Sequence, residues 1–132
     1  MSNIIDVGIS LDQEYQINIG QQLAHSFRVY CETHYNRNSI FVLIDENVNR
    51  LHGERIEKFV SDFERVHLIE IPEGESSKSV KEWNNITNKI LEIGIERSTP
   101  ILAIGGGVTG DLAGFVAATV LRGVPLIHMP TT

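Results

Sequence analysis

The sequence is poor in cysteine, proline and basic residues, and each scarcity excludes something. The single cysteine, Cys31, cannot close an internal disulfide, and it is expected to be a reduced helix cysteine of a cytoplasmic protein. No stretch approaches the roughly 18 apolar residues of a membrane-spanning helix. The opening Met-Ser-Asn-Ile-Ile-Asp lacks the basic head and apolar core of a secretory signal. Lys and Arg total 11 against 17 Asp and Glu, a net charge of −6. Such a surface repels phosphate backbones and anionic lipid, so neither nucleic acid nor a membrane is an expected partner. There are four prolines, and no repeat, low-complexity tract or long linker. With 42% hydrophobic and 21% charged residues over a length of 132, the composition is that of one folded, soluble, intracellular domain.

What is abundant is hydrophobic pattern. Residues 3–9 and 14–19 alternate apolar and polar around Leu11-Asp12-Gln13, predicting an antiparallel hairpin. Residues 21–35 are predicted helical, with Leu23, Phe27, Tyr30 and Cys31 on one face. Residues 40–44, 66–71 (interrupted by His67 and Glu70), 101–104 and 126–129 are apolar runs of strand length, suited to strands covered on both faces. Helices are predicted between them. Residues 47–60 carry Val48, Leu51 and Ile56, and residues 79–93 carry Val80, Trp83, Ile86 and Ile90. The second of these opens on the capping box Ser79-Val80-Lys81-Glu82 and stops at Gly94. Residues 111–121 hold no charge after Asp111, predicting a central helix buried on most sides. Strands alternating with helices imply a doubly wound α/β fold, its sheet mainly parallel, preceded by the hairpin. The chain ends at Pro130-Thr131-Thr132 directly after an expected central strand, so a piece of a longer protein is anticipated.

In such sheets ligands bind beyond the carboxyl ends of the strands, and each end here carries polar chemistry. Five of the eleven glycines fall between 105 and 114. In Gly105-Gly106-Gly107-Val108-Thr109-Gly110-Asp111 the glycines permit a sharp turn and close approach, and helix-terminal amides can bind phosphate. Gly105, Gly107 and Gly110 formally satisfy G-x-G-x-x-G, but the stretch does not follow a first strand and has no acidic residue about 20 positions on. The alternative is a tight turn with Asp111 as a helix cap. Asp45 and Asn47 follow the strand 40–44, where a carboxylate can take both hydroxyls of a ribose or simply cap the next helix. Residues 72–78 place Glu73, Glu75 and Lys78 near a helix start, where Lys78 can pair with a phosphate or ribose oxygen or the loop is simply solvated. Arg122 closes the apolar helix, suited to phosphate or carboxylate or to the helix dipole. His25, His34, His52, His67 and His128 show no metal-ligand spacing and are expected to be solvated or internally satisfied. No nucleophile–base constellation stands out.

Together these loops resemble one family. Gly105 to Phe115, continuing through Leu121-Arg122-Gly123 to Pro130-Thr131-Thr132, closely resembles 3-dehydroquinate synthase, of the sugar phosphate cyclase superfamily. Pro72-x-Gly74-Glu75-x-x-Lys78 and Asp45-x-Asn47 occur in the family's order and spacing, and the resemblance runs from about Tyr15 to the end. It implies that residues 1–132 are an amino-terminal NAD-binding domain, without the carboxy-terminal metal and substrate domain. The family converts 3-deoxy-D-arabino-heptulosonate 7-phosphate to 3-dehydroquinate in the shikimate pathway. NAD⁺ transiently oxidises a hydroxyl, phosphate leaves by elimination, the hydride returns, and ring opening and aldol closure follow.

On this resemblance Asp45 and Asn47 would hold the adenosine ribose region, with Glu75 and Lys78 nearby. Gly106, Gly107 and Val108 would pass along the diphosphate, Asp111 would face the nicotinamide-side ribose, and Thr131 and Thr132 would complete the cleft. Arg122 would bind the phosphate of the sugar phosphate substrate, in this family across a homodimer interface. The family's zinc (or other divalent metal) ligands and most substrate residues lie in segments after Pro-Thr-Thr, so no metal ligand and no catalytic group is expected in this chain, and alone it is expected to be inactive. Aminocyclitol cyclases share the cofactor loops but tend to depart from Gly-Asp-Leu-x-Gly-Phe. Polyol dehydrogenases usually carry lysine where this chain has Val108. A non-catalytic nucleotide-binding or oligomerisation module is the alternative from another class.

Overall fold

A computed structural model describes residues 2–9 and 13–132. The chain forms two compact units, residues 1–34 and residues 35–132. In the first, strands β1 (Asn3–Ile9) and β2 (Gln13–Ile19) pair antiparallel, with Ile5 opposite Ile17 and Val7 opposite Tyr15, as the alternation predicts. The expected turn at Leu11-Asp12-Gln13 falls largely on residues 10–12, outside the described residues. Helix α1 (Ala24–His34) starts later than expected, because Gln22 adopts φ 55°, a left-handed conformation that a helix cannot include. Cys31 is its buried residue.

The second unit alternates β3 (Ser39–Asp45), α2 (Glu46–Phe59), β4 (Arg65–Ile71), α3 (Val80–Ile93), β5 (Ile101–Gly105), α4 (Gly107–Thr119) and β6 (Leu126–Pro130). All four strands are parallel, in the order β4-β3-β5-β6. This is the doubly wound sheet the pattern implied. The strand run steps outward from β3 to β4, returns past β3 to β5 and continues to β6, so the direction of winding reverses between β3 and β5. Phe41, Leu43, Ile101 and Ala103 pack with Ile86 and Ile90 of α3 and with Leu112, Ala113 and Val116 of α4. The alternate residues Ile40, Val42, Ile44, Leu102 and Ile104 are equally buried on the other side.

Several expectations need correction. Only β3 and β5 are covered on both faces; β4 and β6 are the edges of this sheet. Consequently β4 alternates, with Ile69 and Ile71 buried but Val66 and Leu68 about 40% exposed, and β6 is not central. Leu51 is 64% exposed, since at about 100° per residue it stands about 140° around α2 from buried Ile56. Val80 is 77% exposed, because it opens α3 at the carboxyl edge of the sheet, where the facing core ends. Only half of the capping box forms: Ser79 Oγ accepts from the Glu82 amide, while the Ser79 amide donates to the Ser77 carbonyl. Helix α4 begins four residues before the predicted start, inside the glycine stretch, and Asp111 is not its cap. It is buried along one face only, leaving Phe115 54% exposed.

Candidate functional site

The winding reversal between β3 and β5 is where a crevice opens in such sheets, and the strand register assembles one here. Asp45 is level with Ile71 on β4 and directly follows the Ile44–Ile104 pair, while Gly105 is level with Pro130. Four polar loops therefore end along one edge. A chain of contacts ties them together. Glu46 Oε1 accepts from the Glu73 amide at 2.8 Å, linking the loops after β3 and β4. Lys78 Nζ reaches Asp111 Oδ2 at 2.7 Å, linking the second loop to α4. The Thr131 amide donates to the Gly105 carbonyl at 2.9 Å, linking β6 to the glycine turn.

The glycine turn is compact because it has to be. A Cβ on Gly105 would sit 2.6 Å from Thr109 Cβ and Oγ1, and Thr109 is buried beneath it. Gly106 occupies the N-cap position of α4 with no side-chain capping bond. Gly110 makes the first intrahelical bond, to the Gly106 carbonyl, so the amides of Gly107, Val108 and Thr109 open the helix without intrahelical acceptors. Beside them lies a cleft of about 270 Å³, lined by Gly105, Gly106, Gly107, Asp111, His128 and Thr132 among others. Thr132 Oγ1 lies 3.2 Å from where a Cβ on Gly106 would be, so Thr132 stands against the turn. Oriented amides, a glycine wall and flanking hydroxyls fit the diphosphate of a dinucleotide, and Gly106, Gly107 and Val108 are the residues that would hold it.

The outer residues divide. Asp45 Oδ1 accepts from the amides of Asn47 and Val48 at 2.9 and 3.1 Å, so this carboxylate does cap α2, and its Oδ2 has no partner among the described residues. Asn47 Oδ1 accepts from Arg50 Nη2. Glu75 opens a 3-10 turn, Glu75–Ser77, behind Gly74, whose φ of 98° favours glycine. Lys78 is not simply solvated. Its hydrogen bond to Asp111, then the Asp111 and Glu75 charges, raise its pKa above the ordinary lysine value.

Arg122 is not brought to the cleft. Helix α4 runs about 20 Å from the glycine turn toward the opposite edge of the sheet, and Arg122 lies past its end. Leu121, Arg122 and Gly123 have φ of 48°, 64° and 113°, so the backbone breaks from the helix and presents Arg122 exposed, without a charge partner among the described residues. Among the described residues no three His, Cys, Asp or Glu side chains converge, so these residues offer no ligand set for a metal.

Three contributors escaped the sequence reading. Ser77 is buried, its Oγ donating to the Pro72 carbonyl, and so shapes the loop that carries Lys78. Thr109 supports Gly105 from below. His128 borders the cleft, whereas His34 bonds the Tyr30 carbonyl and His67 packs on Phe41. The usable signal was the alternation of β6, which puts Leu126, His128 and Pro130 on the α4 side.

Residues 68–132 match the family described as 3-dehydroquinate synthase N-terminal. The 3-dehydroquinate synthase of Alkaliphilus oremlandii is 42% identical over 119 residues, 89% of this chain and 32% of that protein. The Staphylococcus aureus 3-dehydroquinate synthase is 47% identical over 92 residues, 70% of this chain and 26% of that protein. The chain thus spans about a third or less of these relatives. A crystal structure of 2-deoxy-scyllo-inosose synthase complexed with carbaglucose-6-phosphate, NAD⁺ and Co²⁺ superposes with TM-score 0.86 at 25% identity, over 98% of this chain and 35% of that one. Among the described residues, no helix is long and apolar enough to cross a membrane.

Proposed function

We propose that this chain is the dinucleotide-holding part of a 3-dehydroquinate synthase, a reading supported by the match of residues 68–132 to the family described as 3-dehydroquinate synthase N-terminal. The observation that carries the proposal is the glycine turn opening an uncapped helix directly beside the tips of β3 and β6. When bound, NAD⁺ supplies a reversible hydride acceptor for a substrate hydroxyl. The residues of this chain hold and orient it. The amides of Gly107 and Val108 take the diphosphate, with Gly106 giving close approach. Asp45 and Asn47 face the adenosine ribose, Oδ2 of Asp45 remaining available after Oδ1 has capped α2. Glu75 and Lys78 flank that region, Asp111 takes the second ribose, and Thr131 and Thr132 close the side at β6.

Arg122, displaced from the cleft and exposed, is suited to a substrate phosphate bound across a homodimer interface, as the family resemblance implies. The reaction assigned to the complete enzyme is phosphate elimination and ring closure of the seven-carbon sugar phosphate in the shikimate pathway, a carbon–oxygen lyase activity in the cytoplasm. The zinc or other divalent metal belongs to the carboxy-terminal domain, and this chain alone is inactive. The second reading, an aminocyclitol-forming sugar phosphate cyclase, draws support from the 2-deoxy-scyllo-inosose synthase likeness. The 42–47% identity to 3-dehydroquinate synthases favours the first.

Thermal shift with NAD⁺, AMP and ATP tests the cofactor assignment. Selective stabilisation by NAD⁺ is expected; equal response to all three, or to none, contradicts it. Dehydroquinate synthase activity from the purified chain would overturn the claim of inactivity.

A further inference from the structure

The cleft beside the glycine turn is walled almost entirely by backbone and small residues. Ala103, Gly105, Gly106, Gly107 and Gly110 contribute no polar side chain. The side chains there able to hydrogen-bond a ligand are Asp111, Thr132 and His128. Asp111 is engaged by Lys78 at 2.7 Å. An ionised carboxylate can only accept hydrogen bonds, so Asp111 cannot serve a phosphate oxygen. His128 is different. The parallel register pairs it with Ala103 and puts it on the α4 side of β6. A Cβ on Gly110 would lie 3.5 Å from its Nδ1 and 3.6 Å from its Cε1, ordinary contact distances, so the ring edge lies directly beside this glycine. Its ring nitrogens have no hydrogen-bond partner among the described residues, unlike Nδ1 of His34, which bonds the Tyr30 carbonyl.

We propose that His128 is a further cofactor-binding residue, donating a ring N–H to a phosphate oxygen of the dinucleotide held at the glycine turn. This rests on the dinucleotide reading of the cleft. It gives the diphosphate a side-chain donor on the β6 side, opposite the amides of Gly107 and Val108. Imidazole always carries at least one N–H, so the donor exists in either protonation state.

The test uses the 132-residue chain, followed by NMR during titration with NAD⁺ and, separately, ADP, which keeps the diphosphate but lacks nicotinamide. Movement of the Gly106–Val108 amides reports the underlying reading, and movement of the His128 ring resonances reports this proposal. Both are expected to move with either ligand. His128→Ala and His128→Leu should weaken both ligands about three- to tenfold, Leu because it packs against Gly110 without donating. His128→Gln, which restores an N–H donor, should stay within about twofold of the parent chain. Amides that move while the His128 ring stays still would overturn the proposal and leave the reading standing; unmoved amides would overturn both. Parent-like affinity in His128→Leu, or a loss confined to NAD⁺, would also overturn the phosphate contact.

Discussion

Lys78 Nζ lies 2.7 Å from Asp111 Oδ2, joining the loop after β4 to an early turn of α4 at the rim of the cleft. Without that cation, a carboxylate would face an anionic ligand. Both side chains are substantially exposed, 46% and 63%, so the pair contributes little to stability and weakens in salt. Its effect belongs to binding.

Lys78→Met is therefore expected to lower NAD⁺ affinity severalfold with an almost unchanged melting temperature. Asp111→Asn in the same chain should recover part of the loss, since it removes the charge that Lys78 offsets. Calorimetric titration of the four variants of the cycle measures the coupling, and strictly additive effects would contradict it. The raised lysine pKa sets the pH sense. The favourable pairing is fully present below the ordinary lysine value and is lost as pH rises through the higher folded value, so it is constant across neutral pH.

Gly107 and Gly105 separate binding from folding. A Cβ on Gly107 meets nothing within 4 Å, yet Gly107 lines the cleft. Gly107→Ala should keep or slightly raise the melting temperature, by up to about 1 kcal/mol in stability, while weakening NAD⁺. At Gly105 the added carbon would lie 2.6 Å from buried Thr109. Gly105→Ala should cost about 1–3 kcal/mol in a urea denaturation experiment, whether or not ligand is present.

Asp45 has two duties that substitution can divide. Asp45→Ala removes the cap of α2 and should cost about 1 kcal/mol. Asp45→Ser retains a capping oxygen, so stability should hold while affinity for adenosine-containing ligands falls. Unaltered affinity in the serine variant would restrict Asp45 to capping.

Cys31 is buried, and burial pushes its thiol pKa from 9.0 to about 11. The folded state favours the neutral thiol, so this contribution to stability is complete below pH 9 and is lost as pH rises toward about 11. An alkylating reagent at pH 8 should modify the native chain far more slowly than the urea-unfolded one.

The hairpin, the alternation of strands with helices and the start of α3 at Ser79 were all legible, because hydrophobic period and capping residues act over a few neighbours. The errors lie where distant packing decides. The apolar run at 126–129 reads like a central strand, yet β6 is an edge of this sheet. Val80 fits the stripe of α3, yet it lies past the core. Asp111 looks like a cap, but Gly106 starts α4 earlier because the glycines can enter the helix.

At the site, the sequence alone marked the glycine turn, the carboxylate after β3 and the lysine loop as polar segments suited to a ligand, while the paired threonines entered only through the family resemblance. Local order suffices for those segments, since turn-forming and amide-presenting ability are properties of short segments. Only the tertiary structure decided that Lys78 meets Asp111, that Glu46 holds the Glu73 amide, that Arg122 lies about 20 Å of helix away from the glycine turn, and that His128 borders the cleft. Each of these depends on strand order and register, which bring together residues that no short-range pattern connects.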